Sequence, residues 1–314
     1  MSPSSARVSA VGVVGAGAVG QAVCGALVMS GLCGRLLLTS RMSEQTAALA
    51  ADLDDMRVGL GSPVRPLTCH PTDLMDCEAV VVTLRTGFVN TCRTDIRMGG
   101  AAANASAVRA LGAGLRGYSG TVLVVTNPVD LMARAFAEVS GCRRVFGIGS
   151  NLDSVRYRGA LARLLNVTPR AVRGHVIGEH GDGAVVCASS TTVNAQPVPI
   201  PLQQVRDELA TRPGRIRAGI GRTRSGPAGA VASALRLTLG LSDGVTELSA
   251  PWQGGWIGIP LRFTHGRPVA CLPALDDSEQ RQFAAAHHKL VTAYRALHGH
   301  ATEAIAVPAQ ERTP

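Results

Sequence analysis

The apolar positions of the first half fall into short runs separated by helical patterns. Val8–Val14 is a short β-branched run, and a run of this kind reads as a strand buried on both faces. The Ala/Val/Leu/Met pattern of 21–29 predicts a helix, and Arg35-Leu36-Leu37-Leu38-Thr39 a second buried strand. Residues 43–57 predict a helix with Ser43 as N-cap and Glu44 in its first turn. Further strands are expected at Val64–Thr68, Ala79–Thr83, Thr121–Thr126 and Arg144–Ile148. Between them lie an Arg-rich loop at 85–97 and helices at 99–116 and 129–139. Strands that alternate with helices predict a parallel, doubly wound sheet.

The pattern changes near Gly147–Asn151. A helix at 152–165 leads into a strand at Val172–Ile177, with more strand within 184–193 and a Pro-rich bend at 197–201. A broken helical region covers 202–240, a β-meander Gly244–Cys271 and a last helix 277–298. The expected fold class is therefore α/β, with a doubly wound parallel sheet over 1–148 and an α+β unit over 149–314. The tail from about residue 300 is expected to be disordered.

Composition narrows the partners. The 314 residues allow one large domain or two of ordinary size. Hydrophobic residues make up 46% and aromatics only 3%, so the core must be aliphatic. The net charge is +9, carried almost wholly by arginine, with Lys289 the single lysine. The arginines are dispersed without aromatic interleaving, which argues against nucleic acid, while a positive field favours anionic small molecules. Eight cysteines show no CxxC and no disulfide cadence, the usage of reduced thiols in a cytoplasmic protein. Met1–Arg7 is polar and lacks a secretory pattern. No run of about 18 apolar residues predicts a membrane span, and no metal site is expected.

Gly15-Ala16-Gly17-Ala18-Val19-Gly20 fits G-x-G-x-x-G between a buried strand and a helix. The first glycine permits the tight turn, the second lets the backbone approach a pyrophosphate, and the third lets helix and strand pack closely. This is the Rossmann arrangement for a dinucleotide. A ribose-binding acid is expected about 20 residues on, but the second strand ends Leu38-Thr39-Ser40-Arg41. A carboxylate there would repel a 2′-phosphate. Two hydroxyls and a guanidinium suit one, which favours NADPH over NADH. The alternative is that Arg41 is a solvated first-turn residue and NADH is held without the acid.

Gly178-Glu179-His180-Gly181-Asp182 sets a histidine between charges and glycines, either as a surface turn or as a proton donor in a cleft. Asp153 and Arg156 are three apart and share a helix face. The 27 residues from Asp153 to His180 let the helix run out and a strand return, placing His180 beside the helix start. GAGAVG, TNPVD at 126–130, GIGSNLDSVRYR at 147–158 and GEHGD at 178–182 occur in the order of the L-lactate/malate dehydrogenase family, which the chain resembles over nearly its whole length. A shortened GRTRSGPA at 221–228 and GWIGIPLRF at 255–263 extend the resemblance.

The resemblance implies an NAD(P)-dependent dehydrogenase of a small carboxylate, assembled as a homodimer or homotetramer. His180 would protonate the carbonyl oxygen, as suits a group whose pKa lies near working pH. Asp153 would hold the ring's tautomer, and Arg156 would grip the substrate carboxylate in a two-pronged pair. Asn127 would line the nicotinamide site and Thr223 the substrate pocket. The cofactor set is Gly15, Gly17, Ala18, Val19, Gly20, Thr39, Ser40, Arg41, Thr83 and Asn127.

The loop at 84–106 departs from the family. Arg93-Thr94-Asp95-Ile96 resembles its R-x-D-L, whereas Arg97 stands at the family's distance before Asn104-Ala105. Arg97 is taken as the arginine that polarises the carbonyl, because this choice puts the length change in a loop, and Arg93 is the alternative. The specificity position then falls on Thr91, or on Gly87 if Arg93 is the polariser. A small residue there leaves room for a bulkier side chain, while the spare arginine or Arg85 would pair with a second carboxylate. The expectation is an NADPH-dependent reductase of a 2-oxo acid. The alternatives are reduction of an imine or a larger keto compound, and a non-catalytic nucleotide-binding regulator.

Overall fold

The structure is a computed structural model that describes residues 7–89 and 95–303. The first half runs β1 (Val8–Val14), α1 (Ala18–Ser30), β2 (Cys33–Thr39), α2 (Ser43–Leu60), β3 (Arg65–Thr68) and β4 (Ala79–Val82). It continues through α3 (Ala101–Gly114), β5 (Thr121–Val124), α4 (Val129–Ser140) and β6 (Val145–Gly147). These strands pair in parallel in the order β3-β2-β1-β4-β5-β6. The order reverses between β1 and β4, and the carboxyl ends of strands on either side of such a point form a crevice for ligands.

The second half supplies α5 (Ser150–Leu164), β7 (Val172–Arg173), β8 (Val176–Gly178), β9 (Ala184–Val186), β10 (Thr192–Val193) and β11 (Gln196–Pro197). Then come α6 (Leu202–Ile220), α7 (Ser225–Thr238), β12 (Gly244–Trp252), β13 (Gly255–Thr264), β14 (Arg267–Ala270) and α8 (Asp277–Glu303). β12 runs antiparallel to β6 through Ser249 and Gly147, and β13 pairs β8 through Gly258 and Gly178. The parallel sheet therefore continues into the antiparallel strands as one sheet, while β7, β10 and β11 form a small separate one. Through these pairings β8 delivers the residues after Gly178 to the start of α5.

Burial follows the aliphatic reading. Val80, Val81, Val82, Val122, Leu123 and Val124 are fully buried in the central strands. Each such side chain contributes roughly 1.5–3 kcal/mol on leaving water. Among the described residues no helix is long and apolar enough to cross a membrane, and the seven described cysteines are free thiols.

Several boundaries differ from expectation. α1 begins at Ala18, so Ala18, Val19 and Gly20 belong to its first turn rather than to a preceding loop. Ser43 is not the N-cap of α2: the cap is Met42, and Ser43 is already helical. The Ser40 oxygen accepts from the Met42 N–H at 3.3 Å, and the Thr46 hydroxyl lies 3.0 Å from the Met42 carbonyl, so side chains on both flanks organise this entry. α5 starts two residues earlier than expected, at Ser150. The helical region after Pro201 is two helices, the first continuing through Pro213. α8 extends to Glu303, past the expected end.

Candidate active site

The turn from β1 to α1 is built around its glycines. Gly15 has φ 112°, a left-handed value that favours glycine, and its N–H donates to the Thr39 carbonyl at 2.8 Å. A Cβ on Gly20 would fall 1.9 Å from the Gly15 carbonyl oxygen. A Cβ on Gly17 would meet no protein atom within 4 Å. The middle glycine therefore opens onto free space at a helix N-terminus, where a pyrophosphate fits. The Thr83 hydroxyl lies 3.0 Å from the carbonyl oxygens of both Val14 and Gly15, so it braces this turn from behind. Thr39 is buried, and Arg41 is exposed at the end of β2. The Ser40 hydroxyl is engaged with Thr46 Oγ1 at 2.6 Å and the Met42 carbonyl at 3.0 Å, so its proton is already used by the start of α2.

The second cluster lies where α5 meets the end of β8. His180 Nδ1 is 2.6 Å from Asp153 Oδ2, and Arg156 Nη1 donates to Asp153 Oδ1 at 3.3 Å. The three residues are 8%, 9% and 9% exposed respectively, which rules out a surface turn or a solvated ion pair. The His180 N–H donates to Asp130 Oδ2 at 3.1 Å, so α4 fixes the backbone of the histidine. Burial holds the imidazole below the usual histidine range, with the Asp153 charge opposing it. Burial works the other way on Asp153, but the charge and hydrogen bond of His180, with Arg97 and Arg156 nearby, keep its carboxyl below the usual range. A carboxylate on Nδ1 leaves Nε2 as the ring atom able to exchange a proton with a ligand.

Arg97 is half-buried, and its positive charge acts on Asp153, His180 and Arg156 alike. Downstream, Asn104 accepts from the Thr86 N–H at 3.0 Å and donates to the Asn127 carbonyl at 2.8 Å. It ties the base of the loop to the end of β5, where Asn127 is exposed. Thr223 is half-buried in the turn before α7. That turn adjoins Leu152, the neighbour of Asp153: a Cβ on Gly226 would sit 3.2 Å from Leu152 Cδ1 and 3.9 Å from Thr223 Cγ2. Thr91 and Arg93 lie outside the described residues. Among the described residues no group of three or more His, Cys, Asp or Glu is placed to hold a metal ion.

Residues 9–147 match the lactate/malate dehydrogenase NAD binding domain, and residues 150–212 match the alpha/beta C-terminal domain of the same family. The chain belongs to the lactate/malate dehydrogenase family. An L-lactate dehydrogenase of Lactococcus lactis subsp. cremoris is 31% identical over 190 residues, covering 59% of this chain and 60% of the relative. The L-lactate dehydrogenase 3 of Bacillus cereus strain ATCC 14579 is 30% identical over 209 residues, covering 66% of this chain and 64% of the relative. The chain thus spans about 60% of the length of the first of these relatives. In fold it is similar to a lactate dehydrogenase from a Medee basin deep-sea metagenome library, with a TM-score of 0.86 at 22% identity over 93% of this chain and 99% of the other. Cryptosporidium parvum malate dehydrogenase gives 0.85 at 23% identity over 93% and 100% of the two chains.

In this lactate/malate dehydrogenase family member the fold gathers His180, Asp153 and Arg156 into one buried cluster, with the Arg97 charge acting on all three and Thr223 in the turn that packs on Leu152. Three contributors went unassigned in the sequence. Asp130 was visible inside TNPVD as a first-turn acid of a helix, but nothing local says that its partner is the backbone of His180, 50 residues away. Glu179 folds beneath its own turn, where a Cβ on Gly181 or Gly183 would come within 2.9 or 2.6 Å of its carboxylate oxygens. Gly181 and Gly183 therefore make room for the Glu179 carboxylate. Asn104 carried a signal only as a register mark for the loop.

Proposed function

We propose that this chain is a nicotinamide-dependent reductase of 2-oxo acids that prefers NADPH. The observation that carries the reading is the buried contact of His180 with Asp153, with Arg156 on the other oxygen of the same carboxylate. Bound at the Gly15–Gly20 turn, the cofactor supplies the hydride. Gly15, Gly17 and Gly20 shape the turn, the first turn of α1 at Ala18 and Val19 offers backbone N–H groups to the phosphates, and Thr83 keeps the turn in place.

Arg156 receives the substrate carboxylate on the guanidinium edge that Asp153 does not use, in a fork that fixes the oxo acid's orientation. Asp153 holds the His180 tautomer and stabilises the imidazolium. His180 gives its Nε2 proton to the carbonyl oxygen as that oxygen becomes a hydroxyl, and regains a proton from solvent. Arg97 adds a positive charge where negative charge develops on that oxygen, and Asn127 borders the nicotinamide side. Arg93 is the alternative polariser. Thr91 and Thr223 bound the space for the substrate's side chain.

The preference for NADPH rests on the missing carboxylate at the end of β2 and on Arg41, which is exposed beside Thr39 and can meet a 2′-phosphate. Ser40 contributes less, since its hydroxyl is engaged by α2. A boundary at 148/149 between cofactor and substrate units, a cytoplasmic location and assembly as a homodimer or homotetramer belong to the same proposal. The test is loss of reduced-cofactor absorbance with NADPH and NADH over 2-oxo acids from pyruvate and oxaloacetate to branched and aromatic side chains. Faster turnover with NADPH supports the reductase and its cofactor preference. Faster turnover with NADH removes the cofactor preference alone, and silence with both cofactors removes the reductase.

A further inference from the structure

The single lysine of the chain, Lys289, meets the residue that precedes His180. Lys289 Nζ, on α8, lies 2.7 Å from Glu179 Oε2 and 3.0 Å from Oε1, and 2.5 Å from Asp95 Oδ2. The Glu179 side chain is only 3% exposed, and Glu179 is the residue before His180. Asp95 precedes Arg97 by two residues and is held at two further points. Its N–H donates to Asp182 Oδ2 at 3.0 Å, and its carbonyl accepts from the Met98 N–H at 2.8 Å. Its φ of 52° is left-handed, a conformation an aspartate tolerates but which needs such contacts to persist.

We propose that Lys289 is a positioning residue for Arg97: anchored on buried Glu179, it grips Asp95 and so fixes the segment bearing Arg97 against the turn bearing His180. The chemistry of the group fits this role. An ammonium is compact and has three donors on a flexible stem, so it serves two carboxylates approaching from different elements, whereas a planar guanidinium needs them in its own plane. Every other residue of the Lys/Arg class in the chain is arginine. Glu179 and Asp182 flank His180 in sequence, and both contact the Lys289–Asp95 arm. The contacts that place the loop therefore end on the turn that carries the proton donor. Two carboxylates sharing one ammonium make an arm that is cut separately from each side.

This inference rests on the reductase reading, and the test separates the two. Oxo-acid reduction, dinucleotide affinity and thermal midpoint are measured on the full chain and on Asp95→Ala, Lys289→Met and the double variant. Asp95→Ala leaves the Lys289–Glu179 pair intact. It is expected to lower kcat/KM for the oxo acid at least about tenfold, with dinucleotide Kd unchanged, a split that a merely structural pair would not produce. Lys289→Met is expected to lose rate and also stability, because it leaves Glu179 buried without a counter-charge. In the Asp95→Ala background it should cost no further rate, since both changes cut one arm. Wild-type kcat/KM in Asp95→Ala, or rate losses that multiply in the double variant, would overturn the proposal. Amide exchange at Asp95 and Met98 decides the matter even if no oxo acid is turned over. Faster exchange in Lys289→Met supports the arm, and unchanged exchange overturns it.

Discussion

Gly149 lies against the His180 ring: a Cβ at position 149 would fall 2.4 Å from His180 Cγ and 2.5 Å from its Cβ. The residue just before α5 thus sets the depth at which the imidazole meets Asp153. The φ of Gly149, −171°, is not in the left-handed region, so the contact with the ring is the constraint a side chain would meet here. Gly149→Ala is expected to push the ring off Asp153 and lower kcat at least about tenfold, with dinucleotide affinity kept. A variant with normal kcat would show that the ring position is not set here.

The His180–Asp153 pair predicts opposite pH profiles for the two directions. Reduction draws its proton from the imidazolium, whereas oxidation of the hydroxy acid needs the neutral ring. Burial keeps the His180 pKa below the usual histidine range, so reductive kcat/KM falls as pH rises through a value under about 6.5. Oxidative kcat/KM rises over the same window and levels. Asp153→Asn removes the charge that opposes burial, so both inflections move lower. His180→Gln is expected to remove about 10²–10⁴ of the rate while the dinucleotide still binds. Profiles that do not mirror one another would assign the proton to another group.

Two glycines of the nucleotide turn should respond in opposite ways. Gly17 has φ −73° and open space before it, so Gly17→Ala leaves the thermal midpoint unchanged and weakens dinucleotide binding. A Cβ on Gly20 would sit 1.9 Å from the Gly15 carbonyl oxygen, so Gly20→Ala lowers the thermal midpoint. Titration of the dinucleotide beside thermal melting checks both. A Gly17→Ala protein with undiminished affinity would place the pyrophosphate elsewhere.

Asp130 makes a prediction about stability. It is 2% exposed, and its Oδ1 and the nearby Ser249 Oγ each lack a hydrogen-bond partner of good geometry. Burial pushes its carboxyl up to about 7, offset in part by Ser249 and by the His180 N–H. The folded protein then keeps a proton that the unfolded chain has released at the ordinary carboxylate value near 3.8. Stability therefore falls as pH rises from about 4 to about 7, by up to about 4 kcal/mol in all. Asp130→Asn keeps an oxygen for the His180 N–H and carries no charge. Its thermal midpoint relative to wild type should rise across that window, and a midpoint below wild type at pH about 8 would sink the argument.

Much of the fold was legible because burial on both faces writes itself as continuous apolar runs. The strands that became β1, β2, β4, β5 and β6 were each marked by such a run, and the turn after β1 by its glycine spacing. Helix ends were read less well. Ser43 looked like a cap, yet the entry to α2 is organised by Ser40 and Thr46, because hydroxyls a few residues away compete for the same backbone groups. His180, Asp153 and Arg156 were legible as a set through motif order, and the first two were joined by the length of chain between them.

The sequence alone determined which residue types were available to the cleft and in what order they arrive, since strand periodicity, the G-x-G-x-x-G turn and the GEHGD block are local patterns. Only the tertiary structure decided that Asp130 holds the His180 backbone, that Gly181 and Gly183 make room for Glu179, and that Lys289 reaches Asp95 from α8. The first and last of those contacts join residues 50 and 194 apart in the chain, and no periodicity carries information over such a span. They exist because β8 adds to the sheet beside β13 and α8 packs against β8, β9 and β13, so that side chains with no relation along the chain share one low-dielectric space, where each charge must find a partner.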